Sequence, residues 1–170
     1  RQFRWETYPV STSDVLAHLL HEHQVGFVNR AVKATYDTRA ALAAGDAQAM
    51  IAKHAAVLTR YLLFADEAKF PAGGIGGDAL LKKDFAARAR RTKTGLSLRD
   101  LDLRTRIFKH RCSYMIHSAA FTGLPAPLKQ QVFTSLREAL NPAKPHPASA
   151  HLPAAEKRAI AAILTATKVW

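Results

Sequence analysis

The sequence predicts an all-α fold, one antiparallel, bundle-like domain of about six helices. Apolar residues recur at steps of three or four along most of the chain, and no segment alternates apolar and polar residues as a half-buried strand would. A chain of 170 residues, 48% of them hydrophobic, can also bury a single sizeable core without disulfides or metals.

Each element follows from local chemistry. Residues 1–11 read as an irregular arm containing Pro9, and Ser11, Thr12 and Ser13 offer an N-cap. Leu16, Leu20, His23, Phe27, Ala31 and Ala34 then form the apolar stripe of a first helix running to about Ala44, where Gly45 ends it. Asp46 is the expected cap of a second helix, with Met50, His54, Val57 and Tyr61 inward, and the short link predicts an antiparallel hairpin. Pro71 and Gly73, Gly74, Gly76 and Gly77 break the chain, and Asp78 caps a helix through Leu81, Phe85 and Ala89 that stops near Thr92. Ser97 and Asp100 form a second capping pattern. It predicts a long helix with Leu101, Thr105, Phe108, Cys112, Met115 and Ala119 buried. Pro125 and Pro127 suit the first turn of the next helix, which buries Val132, Phe133, Leu136 and Leu140. Residues 142–153 are a proline-rich loop, and a last helix runs from about Ala154 to Lys168.

Composition excludes intrinsic disorder and collagen, and no apolar run approaches the roughly 20 residues of a membrane-spanning helix. The net charge of +12 is unevenly placed: residues 1–80 carry eight Lys and Arg against eight Asp and Glu, residues 81–170 seventeen against five. The excess concentrates in Lys82, Lys83, Arg88, Arg90, Arg91, Lys93, Arg99, Arg104, Arg106, Lys109 and Arg111, interrupted only by Asp84, Asp100 and Asp102. Such a run attracts anions, acidic proteins or anionic membrane surfaces, and its electrostatics also suit a nucleic-acid backbone. Phe85 and Phe108, the aromatics within it, fall on buried stripes and offer no stacking platform for bases, so an acidic protein or neighbouring domain is the favoured partner.

Four smaller constellations compete. His18, His21 and Glu22 share a polar helix patch and are candidate metal ligands, but no second ligand cluster stands elsewhere. His23 and His54 each sit at the centre of an apolar stripe, the placement bis-histidine haem ligation needs. In the expected hairpin, however, they lie roughly 20 Å apart along the axis. Cys112 falls on a buried stripe, away from His110 and His117, and reads as an inert core thiol. Gly74, Gly76 and Ala79 fit a G-x-G-x-x-A spacing without the surrounding βαβ unit, so they read as an interhelix loop. No G-x-S-x-G elbow and no C-x-x-C-H are present, and the carboxylates are isolated from one another; the sequence leans away from an enzyme.

The segments Tyr61-Leu-Leu-Phe-Ala-Asp-Glu-Ala68, Asp84-Phe-Ala-Ala87, Gly95-Leu-Ser-Leu-Arg-Asp-Leu-Asp-Leu-Arg-Thr-Arg-Ile-Phe108 and Cys112-Ser-Tyr-Met-Ile116, continuing to Leu124-Pro125, resemble the C-terminal helical region of uncharacterised exported bacterial proteins. The resemblance spans about residues 55–167. It implies an envelope location, periplasmic or extracellular, and company with cytochrome-like redox modules; it implies no activity. His110-Arg111 stands where such proteins tend to carry an aromatic residue and proline, and His117 where they tend to carry tyrosine. Without the resemblance, the lone Cys112 suits a cytoplasmic protein equally well. The first residue, Arg1, leads us to expect a processed chain or an excised piece.

Together these readings give a non-catalytic interaction or structural module that docks an acidic, redox-type partner through Arg90, Arg91, Arg104, Arg106, Lys109, His110, Arg111 and His117. The expectation includes no cofactor. Haem or a divalent metal on His18, His21, Glu22, His23 or His54 is the alternative, and nucleic-acid binding through the basic face the weaker one.

Overall fold

In a computed structural model, which describes residues 14–170, the chain forms six α-helices and, among the described residues, no β-strand. The expected arm 1–11 and the serine/threonine cap at residues 11–13 lie outside the described residues. The cap of the first helix, α1 (Val15–Ala43), is Asp14, whose Oδ1 accepts from the Leu16 amide at 2.8 Å. Its other oxygen accepts from the Asp78 amide at 2.6 Å, tying the start of α1 to the start of a later helix.

The turn after α1 closes as the sequence suggests. Gly45 takes φ +80°, its amide donates to the Leu42 carbonyl and the Asp46 amide to that of Ala41, a Schellman termination. Asp46 does not cap α2 (Gln48–Leu62); the N-cap is Ala47, without a side-chain bond. The same termination ends α2, with Phe64 in the left-handed position at φ +54°. That backbone costs a non-glycine residue about 1 kcal/mol, and burial of the Phe64 ring against His23 offsets it.

Helix α3 (Ala79–Ala87) begins at Asp78, which accepts from the Leu81 amide at 2.8 Å. It ends well short of Thr92.

The long helix expected from Ser97 to Ala119 does not form. Its cap does: the Ser97 amide donates to Asp100 Oδ2 at 2.9 Å and the Arg99 amide to Ser97 Oγ at 3.1 Å. The chain then doubles back, pairing Leu101 with Phe108 in an isolated antiparallel bridge. Asp102 accepts from the Arg104 amide and the Thr105 hydroxyl, and this local turn chemistry competes directly with helix. Burial decides the outcome. A peripheral helix buries one stripe, whereas Cys112 through Ile116 are all buried, which an irregular strap through the core can achieve; Thr105 and Ala119, assigned inward by the helical reading, are exposed. The strap continues as a 3₁₀ turn at Tyr114–His117 and a single-turn helix, α4 (Ala119–Thr122).

Helix α5 (Ala126–Ala139) has Pro125 at its N-cap and Pro127 in its first turn, and buries Leu128, Val132 and Leu136. Its main neighbour is α2, which also packs on α1. The loop that follows holds a 3₁₀ turn at Pro147–Ser149, fixed by a 2.6 Å bond from Ser149 Oγ to the Ala139 carbonyl. Helix α6 (Ala154–Ala166) buries Ile160, Ile163 and Leu164. The buried apolar residues of all these elements join in one core. No described helix is long and apolar enough to cross a membrane.

Candidate functional site

The strap at residues 88–117 lies over the N-terminal half of α1, and side chains ninety residues apart in sequence fasten it there. His23 Nε2 shares a 2.7 Å hydrogen bond with Ser113 Oγ, which also accepts from the Met115 amide at 3.1 Å. The Ser113 amide donates to the Leu62 carbonyl at 2.8 Å. The imidazole stacks on Phe64 and Tyr61, with centroids 4.8 and 5.4 Å away, and Phe108 and Tyr114 close the cluster. Burial without an anion beside it pushes the His23 pKa down to about 4, so the ring is neutral at physiological pH. A pocket of about 480 Å³ opens beside it, with Val57, Tyr61, Phe64 and Ile107 as apolar walls and Arg30, Arg60, Asp66 and Glu67 as charged ones. Burial raises the Glu67 carboxyl above its ordinary range, opposed by the Ile107 amide that it accepts from.

The second apolar-face histidine is elsewhere. His54 Nε2 bonds Asp37 at 2.8 Å, and Asp37 also holds Lys33 at 2.9 Å. The hairpin register that sets His23 beside Tyr61 sets His54 beside Asp37, so the two histidines do not meet. His18, His21 and Glu22 are exposed on α1. Among the described residues, no three His, Cys, Asp or Glu side chains gather as a metal site would require. Cys112 is fully buried, and burial pushes its thiol up to about 12. Gly74, at φ +75°, lies against the backbone of Leu103 and Arg104 in an interhelix loop, as its neighbours in sequence suggest.

The basic residues divide by what holds them. Arg111 is half-buried and grips Glu156 of α6 in a fork, Nε to Oε1 at 3.0 Å and Nη2 to Oε2 at 2.5 Å, while its amide donates to Oε1 at 2.9 Å. Arg106 reaches the same carboxylate at 3.9 Å and Asp102 at 3.3 Å. Burial works to raise the Glu156 carboxyl, but the Arg111 bonds, aided by Arg106, outweigh it and hold the group below its usual range. Arg91 bonds Asp100 at 3.0 Å and the Gly95 carbonyl at 2.7 Å.

Arg90, Lys93, Arg104 and Lys109 are exposed and have no ion-pair partner among the described residues. The two carboxylates of this stretch, on Asp100 and Asp102, are largely turned in and spent on Ser97, Arg91, Arg104, Thr105 and Arg106. Burial lowers the pKa of His110, and it lowers that of His117 to about 4 with help from Arg90 and Arg99. Neither histidine adds charge to the surface at neutral pH.

The helical reading puts the basic residues on one exposed helix face. The strap instead sends Arg106 and Arg111 toward Glu156 and Arg90 and His117 toward Arg99. Sequence reasoning misses the His23–Ser113 pin, because no spacing rule connects residues so far apart. It also leaves Arg99 out of the functional set, although this guanidinium sits over both Phe85 and Tyr114, 4.6 and 4.4 Å from the ring centroids. Comparison of the chain with protein-family models, with curated proteins and with solved structures gives no match.

Proposed function

We propose that the protein is a non-catalytic helical interaction module that docks an acidic partner protein through the outward face of its strap, with Arg90, Arg91, Arg104 and Lys109 as the contacting cations. One observation carries the reading: the carboxylates of residues 88–111 are consumed by internal bonds, while Arg90, Lys93, Arg104 and Lys109 face solvent without an ion-pair partner among the described residues, and Arg91, though bonded to Asp100, is itself exposed. An unneutralised patch on a rigid scaffold raises the local potential and steers an oppositely charged partner onto it. The His23–Ser113 bond, the Arg111–Glu156 fork and the buried run Cys112–Ile116 anchor the strap as a scaffold for this surface. Arg106, His110, Arg111 and His117 serve this surface as its support. The resemblance to exported bacterial proteins supports an envelope setting and a redox-type partner.

The test uses a fluorescent oligoglutamate peptide as probe. Reversing Arg90, Arg104 and Lys109 together to Glu should weaken binding about tenfold or more, that is by at least ~1.4 kcal/mol. Reversing Arg39, Lys53 and Lys144 together, all exposed and outside the strap, changes the net charge equally and should leave binding unchanged. Equal losses in the two proteins would mean that net charge alone draws the peptide, and the docking surface would be abandoned. Tighter binding of single-stranded nucleic acid than of oligoglutamate would replace the acidic protein with a phosphate backbone.

A further inference from the structure

A cavity of about 400 Å³ lies at the edge of the strap, between Gln24 of α1, the segment after α3 and the 3₁₀ turn at Tyr114–His117. That volume is within the range of about 300–1,000 Å³ typical of small-molecule sites. Arg88, Arg90, Arg99 and His117 line it, and no carboxylate does. By contrast, Arg60, Arg91, Arg106 and Arg111 each have an acidic partner. Asp84 lines the neighbouring cavity, which shares Arg88 and Arg99, but not this one.

We propose that this cavity is a binding site for a phosphate-class dianion, either inorganic phosphate or the phosphate group of a small phosphomonoester, held by Arg88, Arg90 and Arg99. Arg99 is the fixed element. Its guanidinium is partly buried, held over the Phe85 and Tyr114 rings, and one of its nitrogens donates to the Phe85 carbonyl at 3.3 Å. A guanidinium has five N–H donors, so most of them remain for a ligand, in a fork that suits phosphate oxygens. Arg88 and Arg90 come from the segment just after α3, so cationic donors approach from two segments. A fourth, neutral donor is Tyr114, whose hydroxyl accepts from Gln24 Nε2 at 2.8 Å and keeps its own proton to give. Burial raises the Tyr114 pKa and so preserves that proton.

Converging cations without a counter-charge repel one another. Burial is the main cause that lowers Arg99, with Arg88 adding to it, and burial lowers His117 to about 4 with Arg90 and Arg99 adding to it. A dianion relieves that repulsion. A tetrahedral one meets donors on several sides at once, whereas a planar carboxylate uses chiefly the edge of one guanidinium.

The two sites share Arg90 alone: Arg88 and Arg99 lie outside the docking set and Arg104 and Lys109 outside the cavity, so Arg88→Gln and Arg99→Lys probe the cavity without touching the docking cations. The experiment is calorimetric titration of the whole chain with inorganic phosphate, glycerol phosphate and acetate in turn. Saturable binding of either phosphate, weakened about tenfold or more in both Arg88→Gln and Arg99→Lys but not in Arg39→Gln, supports the site. Arg88 is exposed and without a bonded partner among the described residues, so its variant should fold as the parent does, with near-ultraviolet circular dichroism as the check. Tighter binding of glycerol phosphate than of phosphate would identify an organic phosphate as the ligand; the reverse order would identify the free ion. Acetate binding as tightly as phosphate, no saturable phosphate binding, or an equal loss in Arg39→Gln would overturn the proposal.

Discussion

Acid should unfold this protein through His23, and the effect can be isolated by one substitution. The imidazole titrates near 6.5 when solvated and at about 4 in the fold, where it is buried among four aromatic rings. Because the folded pKa is the lower one, the unfolded chain takes up a proton first as pH falls. Stability is therefore intact above pH 6.5 and is lost as pH drops toward 4. The shift of about 2.5 units corresponds to roughly 3 kcal/mol at the acid end. Replacing His23 by Phe keeps the stacking on Phe64 and Tyr61 but removes the bond to Ser113, a loss of about 1 kcal/mol at neutral pH. It also removes the titration. Urea unfolding of the two proteins across this range should show His23→Phe less stable at neutral pH, equal near pH 5.5–6, and more stable by about 2 kcal/mol near pH 4. Other titrating groups are common to both proteins and cancel in the difference. A stability difference that does not vary with pH would mean that His23 is protonated alike in both states and that its burial has no titration cost.

Three further outcomes follow from the packing. Glu156→Ala leaves Arg111 half-buried without its carboxylate and should cost about 2–4 kcal/mol in urea unfolding, with the loss of Arg111 anchorage exposing the strap to limited proteolysis. Gly74→Ala should cost more than about 2 kcal/mol, because a Cβ at φ +75° would strike the Leu103 carbonyl and the Arg104 backbone. Gly73→Ala, equally left-handed but in open space, should cost only about 1 kcal/mol, and a thermal-melt comparison separates them. Cys112, fully buried and with its thiol raised to about 12, should resist a maleimide in the native protein and react only after unfolding.

The parts of the fold legible in the sequence are those set by local chemistry. The α1–α2 hairpin announces itself through a glycine that alone among the residues there takes φ +80° cheaply, and Asp78 caps α3 as its position suggests. Residues 97–119 show the limit. Ser97 and Asp100 make the cap bonds that normally open a helix, and the apolar spacing from Leu101 to Met115 nearly repeats every seven residues. What redirects the chain is the demand of the core for Phe108, Cys112, Ser113, Tyr114, Met115 and Ile116 together, a demand set by α1 and α2 and not by the strap's own residues. The candidate site inherits that limit. The concentration of positive charge after Lys82 is plain in the sequence, but which arginines are neutralised depends on where Glu156 arrives, forty-five residues after Arg111.

If the strap docks an acidic partner through exposed cations, oligoglutamate binding to the unaltered protein must depend on salt. Exposed charges more than about 10 Å apart are screened at 0.1 M salt. Affinity should fall steeply and continuously as salt rises, with the loss concentrated in the association rate. An affinity unchanged by salt would contradict it, because a surface made of Arg90, Arg91, Arg104 and Lys109 has little but charge to offer.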